Sequence, residues 1–171
     1  MIEIGFKTYC WIAFAIFLFY KFFWETSPPI PETSGNVFKV ANAAEFDALL
    51  ASTKHVVVDF YADWCPPCRA IAPTFSELAD KHSAAGQLAF AKINVDHVDS
   101  VALKYGVTSM PTFLFFQNGK PTPVAVEGLV PRPSVVLTTD GKLEGVRGAD
   151  RGALIAVAEV LAGQQGKVSK E

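Results

Sequence analysis

Cysteine is scarce in this chain: three among 171 residues, at positions 10, 65 and 68. A set that is odd in number and sparse excludes a small scaffold stapled by disulfides. Histidine is as rare, and none of His55, His82 and His97 stands at metal-ligand spacing from the cysteines. With no second C-x-x-C either, nothing completes a Cys/His zinc site and no metal is expected. There is no basic excess: 15 Lys and Arg against 17 Asp and Glu leave a formal net charge of −2, which gives no electrostatic footprint for nucleic acid. No arginine precedes Arg69 and Glu3 is acidic, so an arginine-rich mitochondrial presequence fits badly. The final residues Val168-Ser169-Lys170-Glu171 carry no retention signal of the K-D-E-L kind. What is present is apolar matter, half of all residues, enough to bury one domain core with appendages.

One long run lacks charge altogether. Tyr9 to Tyr20 reads YCWIAFAIFLFY; Lys21 interrupts, and Phe22, Phe23 and Trp24 follow. A bilayer span needs about 20 apolar residues, with about 17 at the short limit. Residues 8–24 reach that limit if Lys21 snorkels to the interface. Tyr9, Trp11, Tyr20 and Trp24 cluster near the two ends, as interfacial aromatics do. The favoured expectation for residues 1–25 is a single-span membrane anchor, with the membrane a partner through residues 8–24. The rest of the chain would then face a reducing compartment such as the cytosol. A cleaved signal peptide is the second reading, although Glu25-Thr26-Ser27-Pro28 makes a poor A-x-A-like site; a buried helix or an artefact of gene prediction is the third. On those readings the protein is soluble in the cytoplasm or enters the secretory lumen. Lys7 and Lys21 balance one another across the run, so orientation is not set. Cys10 reads as filling apolar space.

Residues 26–36 (TSPPIPETSGN) form a linker stiffened by Pro28, Pro29 and Pro31. Beyond it, strand-like and helix-like segments alternate. Val37 to Val40 suits a short strand. Phe46, Leu49 and Leu50 fall at helical spacing within Ala43 to Ala51, with Asn42 as N-cap. Val56 to Tyr61 is a β-branched run of the kind found in buried strands. Ile71, Phe75, Leu78 and Ala79 share one helical face between Pro66 and about Ala84, with Pro73 expected to kink that helix. Leu88 to Val95 alternates as a strand, Ser100 to Tyr105 is a short helix, and Thr112 to Gln117 is an apolar strand ending in an Asn118-Gly119 turn. Leu143 to Arg147 reads as an edge strand, and Asp150 caps a last helix through Leu161. This order predicts an α/β fold with a mixed sheet between helices. Residues 121–142 exceed what a hairpin loop usually holds; they read as a surface insertion within a domain spanning 37–165, with Val124 to Val126 extending the hairpin and Val135 to Leu137 forming a small strand. The alternative is retained non-coding sequence. Residues 166–171 are a polar tail.

The run Asp59-Phe-Tyr-Ala-Asp-Trp-Cys65-Pro-Pro-Cys68-Arg carries the chemistry. A buried strand ends and a helix begins at the cysteines. A helix N-terminus presents unpaired N–H groups and about half a positive charge, which stabilises a thiolate at Cys65 and lowers its pKa. Cys68 lies one turn on, on the same face, placed to attack a mixed disulfide and release a reduced partner. Pro66 and Pro67 suit the first helical turn, where a missing N–H costs little, and they stiffen the pair. Half a zinc site is the competing reading of a lone C-x-x-C; the strand before, the helix after and Trp64 alongside favour redox chemistry.

These residues resemble the thioredoxin family. Trp64-Cys65-Pro66-Pro67-Cys68 is similar to its W-C-G-P-C active site, Val57-Val58-Asp59-Phe60 to its strand with a buried aspartate, Pro73 to its helix-kinking proline, Met110-Pro111-Thr112 to its cis-proline loop, FLFFQNGK (113–120) to the strand and turn that follow, and Val146-Arg147-Gly148-Ala149 to its glycine stretch. The resemblance covers about Val37 to Ala162 apart from the insertion. It implies a thioredoxin fold, preceded here by a single apolar N-terminal helix. It also implies a protein-disulfide reductase with no cofactor beyond a Cys65–Cys68 disulfide. Cys65 is then the nucleophile, Cys68 the resolving thiol, Asp59 its proton acceptor, and Lys92 the lysine that pairs with Asp59. Trp64, Pro66, Pro67, the Met110 backbone, cis-Pro111 and Gly148 would receive an extended client segment, while Tyr61 packs beside the site. Disulfide-containing client proteins and a separate thioredoxin-reductase-like electron donor are the implied partners. An oxidase or isomerase, or a binding module of the same fold, are the alternatives. Pro66 in place of glycine tunes the potential. The turn bearing the insertion lies away from the active site in the family, so catalysis is expected to tolerate it.

Overall fold

The computed structural model describes residues 6–25, 28–30 and 35–165; residues 1–5, most of the linker and the polar tail at 166–171 lie outside it. Helix α1 spans Phe6–Glu25. The rest alternates as β1 (Val37–Val40), α2 (Ala43–Ser52), β2 (His55–Tyr61), α3 (Pro66–His82), β3 (Leu88–Asn94), α4 (Asp99–Lys104), β4 (Thr112–Gln117), β5 (Lys120–Pro121), β6 (Val135–Leu137), β7 (Leu143–Arg147) and α5 (Arg151–Gln165).

The sheet runs β1-β3-β2-β4-β7-β6, with β5 paired to β4. β1 and β2 run parallel to β3 between them, whereas the β2–β4, β4–β7 and β7–β6 pairs are antiparallel. β2 stands in the middle because six of its seven residues are buried; a strand covered on both faces loses the polar alternation of an exposed one. Its side chains alternate between two cores. Val57 joins Ile71, Phe75 and Leu78 of α3 and Leu154 and Val157 of α5 on one face. Val56, Val58 and Phe60 join Phe46 and Leu50 of α2 and Val101 of α4 on the other. Pro73 lies within α3 at an exposed position without ending it. Asn42 caps α2 by accepting from the Glu45 amide at 3.0 Å. Asn118 and Gly119, at φ 49° and 81°, make the left-handed turn that joins β4 to β5.

Residues 121–142 are tied into the sheet. Val124 bridges Leu143, Val135 pairs with Val146, and a register shift falls between Val136 and Leu137. Val124 and Val135 enter the core beneath α5, and that burial holds the segment to the body of the protein.

The membrane reading is corrected by α1. Among the described residues no helix is long and apolar enough to cross a membrane. The helix has the length, with 20 residues, but Tyr9, Trp11 and Tyr20 each carry a polar atom and Lys21 a charge, so too little of it is continuously apolar. The anchor, the membrane partner through residues 8–24, and the localisation drawn from them all fall together.

Candidate redox site

The site forms where β2 and β3, parallel neighbours, both end, and where α3 begins. Cys65 is the N-cap of α3, its extended backbone at φ −87° and ψ 106°, and its Sγ accepts from the Cys68 amide at 3.2 Å. That sulfur holds the place a Ser or Asp oxygen takes in an ordinary cap, so it lies on the positive end of the helix. Pro66 and Pro67 occupy the first turn, exposed, where no N–H is missed. Cys65 and Cys68 are joined in a disulfide with their Cα atoms 5.3 Å apart. Cys65 keeps 3% of its surface exposed and Cys68 none, so Cys65 is the sulfur nearer the surface.

Asp59 lies on β2 on the same face as Val57, beneath α3. It is 4% exposed, and its Oδ1 has no hydrogen-bond partner among the described residues. Burial pushes its carboxyl up to about 7, with Lys92 pulling in the opposite direction. Desolvation wins because a carboxylate leaving water loses more than one cation beside it restores. Lys92 is the register partner of Asp59 across β2 and β3, and its Nζ sits 5.2 Å from the centroid of the Tyr61 ring. Asp59, Lys92 and Tyr61 line one small cavity together with Ala72, Phe75 and Ser76 of α3.

On the far flank, the Met110–Pro111 peptide is cis and Pro111 is buried. The Gly148 amide donates to the Pro111 carbonyl at 2.7 Å, and Gly148 adopts φ 84°, a conformation that favours glycine. Met110, Pro111 and Gly148 therefore form one continuous rim. Residues from the insertion reach it: the Arg147 amide donates to the Ser134 carbonyl at 2.8 Å, and Arg132 and Ser134 both donate to Asp150, the N-cap of α5.

Trp64, named from the sequence, sits among polar residues that went unread there: Asp63, Asn94 and Asp96. Trp64 is half-buried, and its Nε1 donates to Asp96 at 2.8 Å. Asn94 donates from Nδ2 to Asp63 at 2.8 Å, and its own side-chain oxygen receives the Asp96 amide. The signal was present in topology: Asp63 and Asp96 follow adjacent parallel strands, whose carboxyl ends gather polar residues at functional sites. Among the described residues no cluster of His, Cys, Asp and Glu could hold a metal.

A sulfur pair at a helix start, over a buried carboxylate and beside a cis-proline rim, defines a thiol–disulfide oxidoreductase whose catalytic centre is the disulfide itself. The thioredoxin family model matches residues 37–140, and the chain belongs to the thioredoxin family. It is 48% identical over 127 residues to a thioredoxin-like protein of Fusarium culmorum, covering 74% of this chain and 92% of that one. It is 46% identical over 138 residues to a thioredoxin of Neurospora crassa, covering 81% and 93%. The solution structure of oxidised Plasmodium falciparum thioredoxin matches with a TM-score of 0.57 at 31% identity, covering 74% of this chain and 98% of that one. The crystal structure of Malassezia sympodialis thioredoxin matches with a TM-score of 0.57 at 30% identity, covering 75% and 92%.

Proposed function

We propose that the protein reduces disulfides in client proteins, with Cys65 as the nucleophile. The reading rests on one observation above the others: Cys65 Sγ sits as the N-cap of α3 and accepts the Cys68 amide, an arrangement that favours thiolate over thiol. In the reduced enzyme the Cys65 thiolate attacks one sulfur of a client disulfide. The client S–S bond breaks, and its second sulfur leaves as a thiolate that takes up a proton. Asp59 accepts the proton of Cys68, which a group titrating near 7 can do at neutral pH. Cys68 then attacks Cys65 Sγ, the mixed disulfide breaks, and the departing client thiolate takes the proton that Asp59 accepted, so the client leaves with two thiols. Two electrons have passed from the pair to the client, and a separate reductase-like donor restores the dithiol.

Lys92 moderates the charge on Asp59. Trp64, Pro66 and Pro67 form one side of the client contact. The Met110 backbone, Pro111 and Gly148 form the other, where an extended segment pairs along the rim.

The deciding experiment uses Cys68→Ser. This variant is expected to accumulate mixed disulfides between Cys65 and clients, visible as adducts that vanish on reduction. Adducts retained when Cys65 rather than Cys68 is replaced, or none with an active wild type, would reverse or remove these roles.

A further inference from the structure

The linker does not simply leave the domain. Pro28–Ile30 lie against the redox site, and Ile30 is 6% exposed, as deeply buried as many core residues although its neighbours Pro28 and Pro29 are exposed. Two backbone contacts pin this strap. The Ile30 amide donates to Asp63 Oδ1 at 3.0 Å, and Arg69, on the first turns of α3, donates to the Pro28 carbonyl while also holding the Asp63 carbonyl. The Asp63 carboxylate is fixed in turn by Asn94. Ile30 is therefore aimed by groups belonging to the site's own loop, and it packs in the apolar cluster that contains Cys65, Cys68 and Ala62.

The strap covers one particular cavity. Ile30 and Val37 complete the wall around Asp59, Tyr61, Lys92 and the α3 residues. The room left for water there is about 10 Å³, at the lower bound for a single molecule. The titratable groups that share this space with Asp59 are Lys92 from β3 and Tyr61 from its own strand; α3 contributes Ala72, Phe75 and Ser76, none of which titrates near neutral pH. From β4 the residue opposite is Phe113, which does not titrate.

We infer that Ile30 is a positioning residue for proton transfer: it seals the Asp59 cavity against bulk water and so sets the proton affinity with which Asp59 serves Cys68. The inference deepens the proposed function and rests on Asp59 being the proton acceptor. Its physical content is a dielectric one. An apolar side chain in the mouth of the cavity keeps water from solvating the carboxylate, and removing it lets the charged form recover hydration. Burial is the leading cause of the raised Asp59 titration, and Ile30 lines the cavity that Asp59 faces.

The test is a carboxyl NMR titration of Asp59 in the full-length oxidised protein, where Cys65 and Cys68 do not titrate, comparing wild type with Ile30→Gly and Ile30→Leu. In Ile30→Gly the Asp59 midpoint should fall by about one pH unit, whereas Ile30→Leu should keep the wild-type value, because it restores the seal without the native shape. A glycine variant that titrates like wild type overturns the inference, as does a leucine variant that shifts as far as glycine. The single-turnover pH profile of client reduction separates the two layers. If it moves to lower pH with the titration, both stand. If the titration moves and the profile does not, the seal stands and Asp59 loses its role as proton acceptor.

Discussion

Two segments outside the repeating strand-and-helix body lean on opposite flanks of the dithiol, and they do so by different physics. The strap at 28–30 delivers one apolar side chain, Ile30, into the wall of the Asp59 cavity. The insertion at 121–142 delivers polar groups, Arg132 and Ser134, to Asp150 beside the Gly148 rim. An apolar cover acts by excluding water, so its influence falls on a charge and depends on pH. A polar clasp in partial contact with solvent acts by holding geometry, and its influence is small and nearly independent of pH near neutrality.

The largest expected effect is at the buried charge itself. Asp59 titrates higher in the folded protein than in the unfolded chain, about 7 against 3.8. Between those values the folded state holds a proton that the unfolded state has lost, so stability falls as pH rises through this window and levels off above it. Replacing Asp59 by Asn removes that dependence. Relative to wild type, the variant should gain on the order of 4 kcal/mol in unfolding free energy between pH 4 and pH 8, read from denaturant titrations at both values. Parallel pH curves for the two proteins would mean that the strap and cavity do not keep Asp59 dry. Activity should move the other way: client reduction by the Asn variant should slow about 100-fold at pH 7.

The clasp should matter less. Arg132→Ala removes both hydrogen bonds to Asp150, but the arginine side chain is 41% exposed, so the expected loss is about 1 kcal/mol. Its functional signature should be a several-fold rise in KM for a protein client with kcat for a small dialkyl disulfide unchanged, since the contact proposed along the Gly148 rim is within reach of the longer client alone. A matching fall in kcat for the protein client and the small disulfide would place the segment in the chemistry rather than in docking. The smallest effect calibrates the others: Lys104 and Asp47 pair at 3.7 Å with both side chains more than half exposed, and Lys104→Ala should change stability by less than about 0.5 kcal/mol.

Much of the body was legible because local signals and burial agree there. The valines before Asp59 read as a strand covered on both faces, and they are one. Asn42 and Asp150 announced the helix starts that they cap. Cys65 was readable as a helix-end sulfur because two prolines at N1 and N2 can hardly stand elsewhere in a helix. The failures occurred where a pattern has two physical uses. Residues 8–24 had the length of a membrane span, but tyrosine and tryptophan counted as apolar when their polar atoms are what shortens the run. Ile30 was passed over because proline-rich sequence reads as spacer; an isolated branched apolar residue inside such a spacer was the available sign that the segment docks. The partners Asp63, Asn94 and Asp96 could not be read locally, since sequence spacing does not reveal which strand ends lie side by side.

The insertion leaves its mark at the border of the sheet. β6 is three residues long and shifts register between Val136 and Leu137. A neighbouring molecule approaching that border in solution finds no straight run of amides and carbonyls to extend. The segment thus supplies its own discouragement to edge-to-edge aggregation, and a deletion that trims it to a plain hairpin would leave β7, the longer strand, as the surface on which one molecule could template the next.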